Sequence, residues 1–253
     1  MPIDRKPTSP LVQFMDLLFM ELTNWRWSWR GIVLTSLVAP MLGIVALGSL
    51  AQHGAKESLV YILTGNLVMS LMFGNLGNVA NRFVFMRMSG TLDYYATLPI
   101  QKVALMLAVV VAFFLLSLPS FLVAIAFGAW FLKLTLTLNI TLLLVVPLCV
   151  LSLAGVGAFI GTTARTPDEG NSLALLVTMV LLFIGPVLIP PDRLPNLLIA
   201  LGWFSPATYA ASALRQTLIA TTSRLMVDLF ALFAWTAVSL WSVRQRLSWQ
   251  QRS

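Results

Sequence analysis

Charge is what this sequence has least of: only 10% of its 253 residues are Asp, Glu, Lys or Arg. So sparse a charged surface, beside 58% hydrophobic residues and a mean hydropathy of +0.89, excludes an ordinary soluble domain of this length. Cysteine and histidine occur once each, as Cys149 and His53. A single thiol rules out a disulfide within the chain, and there is no His/Cys set from which to build a metal site. Cys149 lies in an apolar run and reads as a buried neutral thiol; His53 lies in the polar turn HGAKE and reads as a solvated loop residue. No Ser/His/Asp constellation is apparent, so chemistry carried by this chain has no support. Glycine never directly precedes lysine. The phosphate cradle G-x-x-x-x-G-K-[ST] is therefore missing, and any ATP must be bound by another polypeptide.

What is present is a series of long uncharged runs. With ~20 residues needed to cross a ~30 Å hydrocarbon core, the chain has room for about six spans in one all-α membrane domain covering residues 1–253. Bounded by charges, Pro/Gly clusters or Trp, they fall near 31–52, 58–81, 103–131, 134–161, 171–189 and 225–243. The third and fourth are longer than a bilayer requires, so Pro119 and Pro147 are the expected places for a break or tilt. Residues 190–224 are apolar too, but Pro195, Gly202 and Pro206 would disrupt one continuous helix, which predicts a re-entrant hairpin of two short helices on the outer side. No cleavable leader pattern precedes the first run, so the N-terminus is expected to be retained.

Lysine and arginine counts orient the chain. In this scheme one side receives eleven (Arg5, Lys6, Arg26, Arg30, Arg82, Arg87, Lys102, Arg165, Arg244, Arg246, Arg252) and the other five (Lys56, Lys133, Arg193, Arg215, Arg224). Both termini and the loop 82–102 are thereby expected in the cytoplasm of a multi-pass cell-membrane protein. The net charge of +7 is mostly this asymmetry and suits anionic lipid headgroups; no basic stripe interleaved with aromatics argues for nucleic acid. Ahead of the first span, Ser9-Pro10 is a helix start, and LVQFMDLLFMELTNWRWSWR predicts an interfacial helix over 9–30 with Trp25, Trp27 and Trp29 at headgroup level. It serves either as a plain anchor or as a docking element.

Two patterned segments stand out. One is Gly90, Thr91, Leu92 and Asp93, closed by Pro99, in the loop GTLDYYATLP before the third span. The other is Pro206, Thr208, Tyr209, Ala213, Leu214 and Arg215, in SPATYAASALR before the last. With the order of elements around them, they make residues from about 10 to 243 resemble the membrane subunit of type-2 ABC transporters, the export permeases. The second motif departs from its commonest form at Ser205, where asparagine is usual, and at Ser212, where an acid is usual.

The resemblance implies a permease without its own nucleotide site, working with a separate ABC ATPase that binds ATP and Mg. It further implies a second permease copy, either identical or related, and export of a hydrophobic or amphipathic cargo such as a drug, lipid or lipid-linked glycan. In the family the loop before the third span forms a coupling helix against the ATPase. Carried onto this sequence, the contact involves Arg87, Gly90, Thr91, Leu92, Asp93, Tyr94, Tyr95 and Pro99. On physical grounds Gly90 suits a chain reversal before an N-cap at Thr91, Asp93 suits the first helical turn, and both tyrosines offer rigid amphipathic contacts. Thr166, Asp168 and Glu169 are either a second cytoplasmic contact or a helix cap. Within the spans, Asn66, Asn75 and Asn78, with Gly74 and Gly77, are candidates for a transport pathway or for tight helix packing. Asp228, the acidic residue inside a span, is expected to pair with Arg224 four residues earlier. The alternative to an ABC permease is a proton-coupled secondary transporter, which would need such carboxylates in its pathway.

Overall fold

The computed structural model describes residues 9–24, 29–51, 56–98, 100–137, 139–219 and 224–246, and among them there is no strand. Trp25, Trp27, His53 and Pro99 lie outside the described residues. The helices are α1 (Pro10–Asn24), α2 (Trp29–Ala51), α3 (Lys56–Leu71), α4 (Gly77–Met88), α5 (Thr91–Ala96), α6 (Lys102–Leu132), α7 (Leu142–Thr163), α8 (Pro167–Phe183), α9 (Asn196–Gly202), α10 (Pro206–Ile219) and α11 (Leu225–Arg246). A single π turn over Met72–Leu76 joins α3 to α4 into one continuous rod.

Among the described residues, four helical stretches are long and apolar enough to cross a membrane: Glu57–Met88, Lys102–Leu132, Leu142–Thr163 and Leu225–Gln245. The pair α9 and α10, bent by 87°, would make a fifth if it crossed as one. Of the remaining spans expected from sequence, α2 counts 16 apolar helical residues over Ser36–Ala51, and α8 has 17 in all. The α3–α4 rod is central, with 72% of its apolar window buried against 28% for the peripheral α11. Its Leu63, Leu67, Leu71, Met72, Leu76 and Phe83 form the core with Phe113 and Phe121 of α6. Close approach by α7 depends on missing side chains. A Cβ at Gly157 would run into the carbonyl of Leu76, and one at Gly161 into that of Ala80, so the two backbones touch.

Several boundaries differ from the sequence expectation. The second span does not end at 81 but continues to Met88, so Arg82 and Arg87 belong to a helix and not to a loop. Pro119 and Pro147 break nothing; α6 and α7 run through them, and α6 matches its expected limits within a residue. The fourth span begins at Leu142 instead of 134. Lys133 closes α6 in the left-handed region (φ 51°), and residues 134–137 after it lie outside any helix, with Thr137 N–H and Oγ1 both donating to the carbonyl of Leu218 (2.9 and 3.2 Å). β-branched threonine at every second position lowers helix propensity there. The fifth helix stops at Phe183, short of 189, because Gly185 (φ 92°) turns the chain and Pro186 disfavours a helical residue before it. The two short helices expected in 190–224 are present as α9 and α10, but α10 is buried in the bundle, from Ala207 to Leu218.

Candidate functional site: the coupling corner and the cleft beside it

The turn after α4 is built on Gly90, whose φ of 70° places it in the left-handed region that a side chain disfavours. Gly90 itself is the N-cap of α5, and Thr91, expected there, is the first helical residue, with its Oγ1 2.7 Å from Ser89 Oγ. Asp93 stands in the first turn as expected, where the helix dipole favours a negative charge. The helix has an inner and an outer face. Leu92 and Tyr95 are buried, whereas Asp93 is exposed and Tyr94 is 63% exposed. The tyrosines are thus not equivalent, since Tyr95 cannot reach a partner. Its hydroxyl lies 4.0 Å from Met20 Sδ of α1. Burial pushes the Tyr95 phenol above its ordinary value; the Glu21 carboxylate adds to this, and Arg82 offsets it in part.

Those two charges hold the corner together. Arg82 of α4 makes a forked ion pair with Glu21 of α1, Nε to Oε2 at 2.9 Å and Nη2 to Oε1 at 2.7 Å, with the side chains 8% and 0% exposed. Such a pair fixes direction as well as distance. Farther along α1, Gln13 Oε1 accepts the backbone N–H of Gln101 (3.2 Å), the N-cap of α6. Helix α1 therefore grips α4, α5 and α6 at once. Its other side leaves Leu11, Val12, Met15 and Phe19 exposed, an apolar face suited to lipid.

Arg87, read from sequence as charge for a partner, is turned inward: Nη1 donates to the carbonyl of Thr162 (3.0 Å) in the last turn of α7. A cation at a helix C-terminus is favoured by the dipole. This bond ties the end of α4, next to the Gly90 turn, to the second loop, Ala164 to Thr166. There Thr166 Oγ1 accepts the N–H of Glu169 (3.2 Å), and Glu169 Oε2 accepts that of Arg165 (2.8 Å). Thr166 and Glu169 thus form a helix cap, and Asp168 remains exposed.

The second motif is structural in this chain. Pro206 is the buried first residue of α10, and Tyr209 donates its hydroxyl to the carbonyl of Trp203 (2.8 Å), closing the bend from α9. Gly185 and Gly202 meet backbone to backbone beside Thr208, with no room for a Cβ on either. Arg215 stacks over the Tyr61 ring (3.4 Å to the centroid) and donates to the carbonyl of Pro186 (3.4 Å). Asp228 takes Gln216 as its partner in place of Arg224: Gln216 Nε2 donates to Oδ2 at 2.6 Å, and Gln216 Oε1 accepts the backbone N–H of Arg224 at 2.9 Å. The expected i,i+4 pair loses to a neighbour on α10 that satisfies both groups.

The asparagines separate into two roles. Asn66 lies against Gly43 of α2 and donates to the carbonyl of Ile62 (2.8 Å), while buried Asn75 donates to that of Leu71 and to Ser117 Oγ (both 3.0 Å); these join helices. Gly74 packs on Ser117, but a Cβ at Gly77 would meet nothing. Gly77 instead opens on a cleft of about 610 Å³ between α2, the π turn and α8. Asn78, Asn81, Asn171 and Thr178 line it together with Leu34, Leu42, Phe73 and Leu175.

These features define a polytopic helical membrane protein whose short helix α5 rests on α1 and α4 at one end of the bundle. A family model described as "ABC-2 type transporter" matches residues 12–219, and the chain belongs to that family. It is an ABC transporter permease subunit, a class that works with an ABC ATPase. No curated protein matches it.

Proposed function

We propose that this chain is the permease of an ATP-driven exporter, in which α5 docks on the ATPase through Asp93 and Tyr94. The observation that carries the reading is the two-faced helix α5, with Asp93 and Tyr94 outward and Leu92 and Tyr95 clamped against the bundle. A short helix that is rigid within and polar without can pass a push to α4 and, through Arg87, to α7. Asp168 offers a second negative contact at the same end. In this reading α2 and α8 cross with the four long apolar stretches to give six spans, both termini face the cytoplasm, and α9–α10 form the outer hairpin. Two permease copies complete the pathway for a hydrophobic or amphipathic cargo, while the partner binds ATP and Mg. A proton-coupled transporter would want a carboxylate open to the pathway, but Asp228 is held by Gln216.

The test is Asp93→Lys. We expect normal membrane insertion and loss of the co-purifying ATPase; an intact complex would remove Asp93 from the interface. Transport that survives ATP depletion and fails on collapse of the proton gradient would overturn the exporter reading as a whole.

A further inference from the structure

The cleft beside Gly77 has a wall chemistry that selects among the cargo classes open to such a permease. Its lining is apolar along Leu34, Val38 and Leu42 of α2 and Leu175 of α8, and its polar groups are three carboxamides and a hydroxyl. Among the described residues, no charged side chain lines it. Of the ionic groups nearest in sequence, Arg82 is buried on Glu21 and Glu169 caps α8, while the exposed Arg30 and Asp168, within one helical turn of Leu34 and Asn171, are not among its lining residues. An anionic headgroup in the cleft would therefore find amide and hydroxyl groups but no lining cation to pair with.

The π turn explains why the site can still bind polar groups. Widening the helix over Met72–Leu76 frees carbonyls from the regular ladder, a feature that recurs at functional sites. Asn78 Nδ2 takes up two of them, donating to Phe73 O (3.2 Å) and Gly74 O (3.0 Å), so what its carboxamide has left to offer is its acceptor oxygen. Asn81 Nδ2 donates to Asn171 Oδ1 across the cleft at a long 3.4 Å, leaving the Asn81 oxygen and three N–H donors of that pair to a ligand. Gly77 removes the side chain that would otherwise fill the space. A volume of about 610 Å³ is that of a site for one small molecule.

We propose that this cleft binds one uncharged amphipathic molecule bearing hydroxyl or amide groups, and that phosphate-bearing lipids are excluded from it. The proposal deepens the exporter reading and rests on it only for the word cargo. Two probes with the same apolar body decide the matter: dioctanoylglycerol and its phosphate, dioctanoyl phosphatidate. Native mass spectrometry of the purified chain, wild type against Gly77→Trp, reads occupancy with no ATPase required. We expect the neutral probe to be retained by wild type and lost in Gly77→Trp, with the phosphate retained equally by both at its non-specific level. Asn171→Asp, which adds a charge without changing size, should weaken retention of the neutral probe while the protein stays folded. Equal retention of the neutral probe by wild type and Gly77→Trp, or a phosphate excess in wild type over Gly77→Trp, would overturn the assignment. Gly77→Trp converting a dimer to single copies would also overturn it, by making the cleft a subunit seam. In the complex, stimulation of ATP hydrolysis by the neutral probe and its loss in Gly77→Trp should follow. Binding as expected, together with failure of any ATPase to co-purify with the chain from its native membrane, would sink the exporter reading and leave the cleft assignment standing.

Discussion

The two ends of this bundle keep buried charge in opposite ways. At the α1–α4 corner, Glu21 and Arg82 face each other in a forked ion pair. At the far end, Arg215 and Asp228 are held by an aromatic ring, one backbone carbonyl and the amide of Gln216. An ion pair is strong only while both partners remain, because removing one strands the other in a poor solvent. Hydrogen bonding to neutral groups loses less when the charge goes, since the partners can still be satisfied. The corner is thus built to resist distortion between α1 and α4, while the α9–α10 bend is held by contacts that tolerate chemical change.

Substitutions can break that contrast, and the largest effect belongs to the corner. Glu21→Ala leaves Arg82 buried without its carboxylate and should cost about 3–5 kcal/mol, read as a fall in denaturation midpoint in detergent. Arg215→Met removes the cation over Tyr61 and should cost about 2 kcal/mol on the same assay. Thr166→Ala deletes the cap of α8 for about 1 kcal/mol, and should leave ATPase association intact if its role is only the cap. Smallest of all, Asp228→Asn keeps an acceptor for Gln216 and should cost under about 1 kcal/mol. If Asp228→Asn proved as damaging as Glu21→Ala, the two ends would not differ in the way described. Restoration of stability by the exchanged pair Glu21→Arg with Arg82→Glu would sharpen it, showing that the pairing matters and not the identity of either site.

Much of this architecture was legible in the residues. Ser9-Pro10 starts a helix, α6 spans its expected run, and the Pro-rich stretch after residue 190 yields two short helices, because each depends on local signals that no distant contact overrides. The cap at Thr166 is local as well. What escaped reading depends on neighbours far along the chain. Arg82 looked like a loop cation because its partner Glu21 lies 61 positions away. Arg87 finds a carbonyl 75 positions on, and Asp228 finds Gln216 on another helix. Even the inequality of Tyr94 and Tyr95 becomes visible only once α1 is packed beside α5. The asparagines of the second span show the same limit, since spacing alone cannot tell Asn75, which joins α6, from Asn78, which faces a cleft.

Cys149 has a practical consequence. Its side chain is 0% exposed, with the thiol directed at the carbonyl of Ala210 (3.9 Å). Thiol reagents acting from water should pass it by, so the native chain already serves as a silent background for site-directed labelling. A cysteine placed at the exposed Met88, at the end of α4 and outside the proposed docking pair Asp93 and Tyr94, would then carry the only spin label or fluorophore on the chain and would report movement of that end of the bundle.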